Sequence, residues 1–423
     1  MSAGLRNWPG NLIYLATVVQ RPETVEQVRE LVAASAKVKA VGSRHSFSTV
    51  ADTSGVQISL EKLNRIVGID RERNTVTIEA GMRYDALIMA LHAEGYSIHN
   101  TASLTRITVA GAVATATHGS GDGNGCLSTA VSGIEFVTAD GSLVSLTRER
   151  DGERFKGAVV GLGALGIVVR LTLDIAPTFM VRQAVYEGLP HARLNESFAE
   201  VMASGYSVSL FTNWGGDQVN QVWVKRRVTG DGIPDAAAEL YGAKLASKKV
   251  RIIREMPTEP YTEQEDIPGP WHERLPHFVP TGLPDDGNEI QSEYFVAREH
   301  APAAFRALGS ISDRINALMG ASEVRSIAAD DLWMSMFYER DAVAFHFTWV
   351  QDWERVRALL PLIEEKLAPF DARPHWGKTF TISPAKLAAL YPRMGDFRAL
   401  VREFDPSGKF GNAFLDAFVL GGE

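Results

Sequence analysis

The chain has 423 residues, 45% of them hydrophobic and 22% charged, with a formal net charge of −8. That length and apolar share are enough for two or three folding units with substantial cores. The negative balance argues against nucleic acid or an anionic lipid surface as partner, since both select clustered positive charge. One cysteine, Cys126, rules out an intramolecular disulfide and a thiolate metal cluster within the chain.

Met1 to Gly10 is polar and broken by Pro9, without the basic flank and apolar segment of an export signal. No uninterrupted apolar stretch reaches the about 18 residues of a membrane span, so the expectation is a cytoplasmic protein, and a monomer. From Thr24 to Ala36, Val25, Val28, Leu31 and Val32 recur at helical spacing. A short strand at Val38 to Val41 follows, and Gly42 allows a sharp exit into a loop of Ser43, Arg44, His45 and Ser46. Val56, Ile58 and Leu60 alternate with polar positions, as do Val76 and Ile78, predicting half-buried strands; Tyr84 to Glu94 reads as a helix stopped by Gly95. Ile134 to Val137 and Leu143 to Leu146 flank Ala139-Asp140-Gly141-Ser142, a hairpin signal. The first unit closes near Pro177. A second, from about residue 178 to the 380s, carries strands at Val208 to Thr212 and Gln221 to Lys225. A Pro/Gly/Asp-rich connector between Met256 and Gly287 then reads as surface or lid. Helical patterns follow at His300 to Leu318 and Trp353 to Leu367, with strands near Glu323, His346 and Lys378.

Two apparent motifs fail on mechanism. Gly161-Leu162-Gly163-Ala164-Leu165-Gly166 has the glycine spacing of a dinucleotide fingerprint, but that pattern works only when a helix follows and aims its N-terminus at the pyrophosphate. Here Ile167, Val169, Leu171 and Leu173 alternate as a strand. The histidines of His272-Glu273-Arg274-Leu275-Pro276-His277 are five apart rather than four, and Pro276 would break the helix that a zinc hydrolase needs. No metal is expected.

The tract from Ala102 to Gly121 is dominated by small and hydroxyl-bearing residues. It reads either as a cradle whose backbone amides hold a pyrophosphate or as a tightly packed core segment. His45 alone reads as an ordinary loop histidine or as a functional one. On the strands, alternation gives Glu323 and Arg325 one shared face and His346 and Thr348 another, with Phe345, Phe347 and Trp349 turned away. Such polar faces are either solvated or the wall of a pocket. Glu323 accepts hydrogen bonds, Arg325 and Lys378 donate, and Thr348 does both, an inventory suited to a neutral polyhydroxylated ligand.

Several separated segments, in order, resemble one family. The His45 loop, Ser103 to Gly125, Gln291 to Tyr294, Glu323 to Arg325, His346 to Trp349, Pro374 to Lys378 and Asp405 to Phe410 are similar to the flavoproteins of the vanillyl-alcohol oxidase superfamily. The narrower likeness is to the alditol (xylitol) oxidase branch, with the sugar-lactone oxidases as relatives. The resemblance implies an α+β architecture: a bipartite α/β FAD-binding domain (1–177), a cap domain with an antiparallel sheet flanked by helices (178–383), and a C-terminal segment (384–423), with Asn412 and Phe414, returning to the first domain.

It also implies FAD bonded through its 8α-methyl carbon to His45, with cofactor contacts at Ala40, Val41, Gly42, Ser43, Arg44, Ser46, Ser103, Thr108, Gly111, Thr115, Ala116, Thr117, His118 and Val168. On the same resemblance Ser103, Glu323, Arg325, Thr348 and Lys378 bind substrate. The implied reaction moves a hydride from the terminal CH2OH of a linear polyol, xylitol or sorbitol, to flavin N5, giving the aldose, and O2 is then reduced to H2O2. Ala102 is small enough to leave O2 a path to the ring. Arg325, Lys378 and His346 form the catalytic network, with the base left open between an imidazole, which ordinarily titrates near about 6.5, and a desolvated lysine. Two other readings stand beside it: an aldonolactone oxidase or dehydrogenase, and a noncatalytic flavin- or sugar-binding protein.

Overall fold

The computed structural model describes residues 5–229, 233–253, 257–279 and 287–421. After a short strand β1 (Val18–Gln20), the Thr24 hydroxyl accepts from the Gln27 amide at 3.2 Å and so caps α1 (Val25–Ala34), which buries Val25, Val28 and Val32. β1 and β2 (Val38–Val41) both pair in parallel with β3 (Val56–Ser59) to make a three-stranded sheet.

A second, antiparallel sheet is built from β4 (Ile66–Asp70), β5 (Thr75–Glu79), β6 (Val131–Val137), β7 (Leu143–Thr147) and β8 (Ile167–Asp174), in the order β4-β5-β8-β6-β7. The β6-β7 hairpin closes as its sequence demands: Gly141 takes a φ of +84°, and Asp140 accepts from the Thr138 hydroxyl and the Ser142 amide. β8 follows the glycine-rich turn directly, with alternate residues buried. In the chain between β5 and β6 lie α2 (Tyr84–Ala93) and the short α3 (Val109–Ala114).

Beyond Pro177 the pattern changes to one large antiparallel sheet. Its long strands are β9 (Met180–Pro190), β10 (Ser207–Phe211), β11 (Gln218–Val228), β12 (Glu289–Ala297), β13 (Met319–Ile327) and β14 (Ala342–Val350). They run in the order β9-β11-β10-β13-β14-β12, and short strands at the margins bring the total to ten. One face is apolar. Val324, Phe345, Phe347 and Trp349 pack there with residues of α4 (Ala301–Gly309) and α5 (Trp353–Leu367). Because strand side chains alternate, the residues between them, Glu323, Arg325, His346 and Thr348, all face the other way. The C-terminal helices return to the first sheets: the Asn412 amide donates to the carbonyls of Thr49, Val50 and Asp52, and Phe414 joins the core that holds Leu87 and Ile88.

Three expectations need correction. The helix expected over His300 to Leu318 is two, Ala301–Gly309 and Ser312–Asn316, because Gly309 and Ser310 are poor helix formers at the junction. Lys378 is not on a strand; its segment pairs only at Arg373–Pro374, where Pro374 has no amide to extend the ladder, and Lys378 sits in a turn closed by its own amide on the His375 carbonyl at 3.0 Å. Ala116 is fully buried in the core, with φ +51°, and is not on the cavity wall. Of the connector between 256 and 287, read as surface or lid, Tyr261, Thr262, Gln264, Trp271, His272, Leu275 and His277 are buried, and His277 and Phe278 line the cavity. Residues 280–286 of it, and Met256, lie outside the described residues.

Candidate active site

A cavity of about 1500 Å³ runs between the two small sheets and the polar face of the large one. This exceeds the roughly 300–1,000 Å³ of an ordinary small-ligand pocket. One end is walled by Lys39, Gly161, Gly163 and Val168, the middle by the loop after β2 and the start of α3, and the other by Glu293, Glu323, Arg325, His346, Thr348 and Lys378. The rejected fingerprint therefore contributes backbone: Leu162 and Gly163 have φ of +51° and +64°, and the Gly163 carbonyl accepts from buried Lys39 at 3.1 Å.

The loop after β2 reaches α3 closely. A Cβ on Gly42 would stand 2.2 Å from the Thr108 hydroxyl, so only glycine fits. Ala40 to Ser46, Ser103, Thr108, Gly111, Thr115, Thr117 and His118 all line the cavity, as does Ala102. The His45 ring stacks on Trp8 with centroids 4.2 Å apart, and both its nitrogens are buried without a hydrogen-bond partner. Burial, reinforced by the charge of Lys378, pushes its pKa down to about 3. The Thr108 hydroxyl is likewise buried and unpaired. Buried polar atoms are rarely left so, and both residues line the cavity. Two contacts fix the loop against the segment bearing Lys378: the Phe47 amide donates to the Gly377 carbonyl at 2.7 Å and the Ser48 hydroxyl to the Trp376 carbonyl at 2.7 Å.

At the far end, sheet register does the assembly. His346 lies opposite Glu293 on one neighbouring strand and opposite Glu323 on the other, so three strands present an acid-imidazole-acid row to the cavity. The Arg325 guanidinium donates to Glu293 at 2.9 Å and to the Ser103 hydroxyl at 3.1 Å, and stands 3.5 Å from Glu323. Glu293 also meets His118 at 3.2 Å and His346 at 3.4 Å. Burial raises the pKa of both carboxyls, but it is outweighed, for Glu293 by His118, His346 and Arg325, and for Glu323 by Arg325 and His277; both stay ionised, below the usual range. The Lys378 ammonium donates to the Gln291 side-chain oxygen and lies over the Phe47 ring at 5.2 Å; burial lowers its pKa.

Over 419 residues the chain is 47% identical to an alditol oxidase of Streptomyces sp. (strain IKD472 / FERM P-14339), covering 98% of this chain and 99% of that one. The chain belongs to the alditol oxidase family. It is accordingly an FAD-dependent oxidoreductase, and residues 16–147 match the FAD binding domain model. Residues 288–418 match the model for D-arabinono-1,4-lactone oxidase. Among solved structures, cholesterol oxidase from B. sterolicum shares the fold with a TM-score of 0.77 at 15% identity, over 99% of this chain and 96% of that one. Glucooligosaccharide oxidase from Acremonium strictum, described with a 6-S-cysteinyl, 8α-N1-histidyl FAD, gives 0.72 at 14%, over 99% and 94%.

For a member of the alditol oxidase family, the residues present fit FAD: a long cavity, a small-residue wall, and an unpaired buried imidazole and hydroxyl on residues that line it. Sequence reading missed Glu293 as the hub of the charged cluster, although its two-residue spacing from Gln291 on a strand is the same signal that picked out Glu323 and Arg325. It also missed His277, set aside with the false zinc motif. The other histidine of that motif, His272, is elsewhere, tilted against His92 with ring centroids 4.3 Å apart. Among the described residues no group of three His, Cys, Asp or Glu side chains is placed to hold a metal ion.

Proposed function

We propose that this chain oxidises the terminal primary alcohol of a linear polyol, xylitol or sorbitol, to the aldose, using FAD bonded through its 8α carbon to His45 and reducing O2 to H2O2. The observation that carries this reading is the row Glu293, His346 and Glu323, with Arg325 and Lys378, facing the same cavity as the His45 ring. FAD held along Ala40 to Ser46, Ser103, Thr108 and Val168 would supply a two-electron acceptor for the hydride of the carbinol carbon and a route for those electrons to O2.

The chain's own groups do the rest. Ala40 to Ser46, Ser103, Thr108, Gly111, Thr115, Thr117, His118 and Val168 border the cofactor, and Ala116 contributes at most its backbone. A neutral His45 keeps a nitrogen lone pair for the carbon bond. The single cysteine, Cys126, is buried beside Asp330 at 3.4 Å and off the cavity wall, which supports histidine rather than cysteine as the residue proposed to carry the link. Glu323 accepts substrate hydroxyls, while Ser103, Thr348, Arg325 and Lys378 donate to substrate oxygens. Arg325 and Lys378 stabilise the charge that develops as the hydroxyl proton leaves into the Arg325, Lys378 and His346 network. Lys378→Met is expected to slow anaerobic flavin reduction by about 100-fold or more while leaving the melting temperature nearly unchanged. An unaltered reduction rate would take Lys378 out of the chemistry.

The second reading, an aldonolactone oxidase or dehydrogenase, is favoured by the match over residues 288–418. Turnover on xylitol, sorbitol and a sugar lactone separates the two; a preference for the lactone would replace the first reading. A cytoplasmic location and a monomeric state complete the proposal, to be checked by cell fractionation and light scattering.

A further inference from the structure

Beside Glu323, two more polar side chains are buried: His277, which also lines the cavity, and Lys225 behind it, which does not. His277 Nε2 is 2.7 Å from Glu323 Oε1, and His277 Nδ1 is 3.1 Å from the Lys225 ammonium nitrogen. Lys225 also donates to the carbonyls of Leu275 and, at 3.3 Å, Pro276. The imidazole is gripped edge-on by Phe211 and Trp223, with centroids 5.4 and 5.3 Å away. All three polar residues are buried.

The direction of every proton in this chain follows from donor counting. Glu323 is an ionised carboxylate and can only accept, so a 2.7 Å contact requires the proton on His277 Nε2. A neutral imidazole protonated there has a bare lone pair on Nδ1, which must face a donor. Lys225 is that donor, and its three acceptors, two carbonyls and Nδ1, match the three N–H bonds of an ammonium. Burial, added to the charge of Lys225, keeps the His277 ring neutral with a pKa of about 4. Burial also pulls Lys225 down to about 7, against the opposing pull of Glu323.

We infer that Lys225 and His277 are positioning residues that fix one imidazole tautomer and thereby hold Glu323 as a rigid, charged acceptor for the hydroxyls of a neutral polyol. The inference rests on the proposed polyol reading and adds what sets its selectivity. With Oε1 engaged by His277 and the Arg325 guanidinium beside Oε2, Glu323 cannot turn aside. Its remaining lone pairs lie on the cavity side, where a substrate that offers O–H donors is favoured and one that offers a carboxylate is repelled. The same segment roofs the site, because the His277 and Phe278 amides donate to the Ser103 carbonyl at 3.2 and 3.4 Å.

The test is anaerobic stopped-flow reduction of the purified flavin-loaded enzyme by xylitol, giving the dissociation constant from the concentration dependence and the limiting rate separately. Lys225→Met and His277→Leu should weaken xylitol binding by about tenfold or more, with a smaller change in limiting rate. His277→Gln, whose amide offers a donor to Glu323 and an acceptor to Lys225, should restore affinity to within about threefold of the parent. Folded His277→Leu enzyme that binds xylitol as the parent does, or His277→Gln enzyme as weak as His277→Leu, would overturn the inference. If Lys225→Met fails to fold, the two His277 variants still decide. If the parent flavin is not reduced by xylitol at all, the polyol reading fails instead, which is a separate outcome.

Discussion

His45 can bond to an electrophilic carbon only with a free lone pair, and its surroundings guarantee one. A ring whose pKa is pushed to about 3 by burial and by Lys378 stays neutral at physiological pH, and neither nitrogen is occupied by a protein donor. Acid-precipitated parent protein should therefore retain its yellow colour in the pellet, whereas His45→Ala should release it to the supernatant; colour released from the parent would contradict the covalent link. Glu293 is the second residue on which much depends. Removing it leaves the Arg325 guanidinium buried with half its compensation gone, so Glu293→Leu is expected to destabilise the protein by about 3–5 kcal/mol in a denaturant titration. A change below about 1 kcal/mol would mean that the pair is more hydrated than its burial implies. His45, Glu323, Arg325 and His346 were singled out in the sequence by the family resemblance, since residue type and spacing alone left a loop histidine and solvated strand faces equally open. Glu293 and His277 were not, because their roles come from cross-strand register and from a connector whose composition looks like surface.

Elements repeat this contrast. Regular periodicity located α1, the β6-β7 hairpin, β8 and α5 nearly to the residue, since each buries one continuous face. Lys378 was misplaced because a turn held by Gly377 and His375 has no periodicity to detect. The C-terminal segment is held by particular contacts. Asn412 caps the final helix by accepting from the Leu415 amide at 2.8 Å and donates to three carbonyls of residues 49–52. Asn412→Ala should cost about 1–2 kcal/mol, read as a lower melting temperature. Because those carbonyls belong to the turn just after the His45 loop, flavin content should fall with it. An unchanged melting temperature would show that the segment is held by its apolar contacts alone.

At the scale of the molecule, function follows from a sheet that is apolar on one face and charged on the other. The apolar face is closed by helices, and the charged face would be an untenable interior surface unless it met a polar ligand. The two small sheets oppose it with a wall of glycine, alanine and threonine that lets a large cofactor approach. The sequence suggested a first unit closing near Pro177 and, through the family resemblance, an antiparallel sheet beyond it, whereas the depth of the cavity between them depends on side chains far apart in the chain. The account places a redox cofactor and a hydroxyl-binding row in one enclosed space. The most direct measurement is the visible absorption spectrum of the purified protein under anaerobic conditions before and after addition of xylitol. The account predicts loss of the oxidised flavin band and its return on admitting air, with H2O2 formed; a spectrum that xylitol leaves unchanged would contradict it.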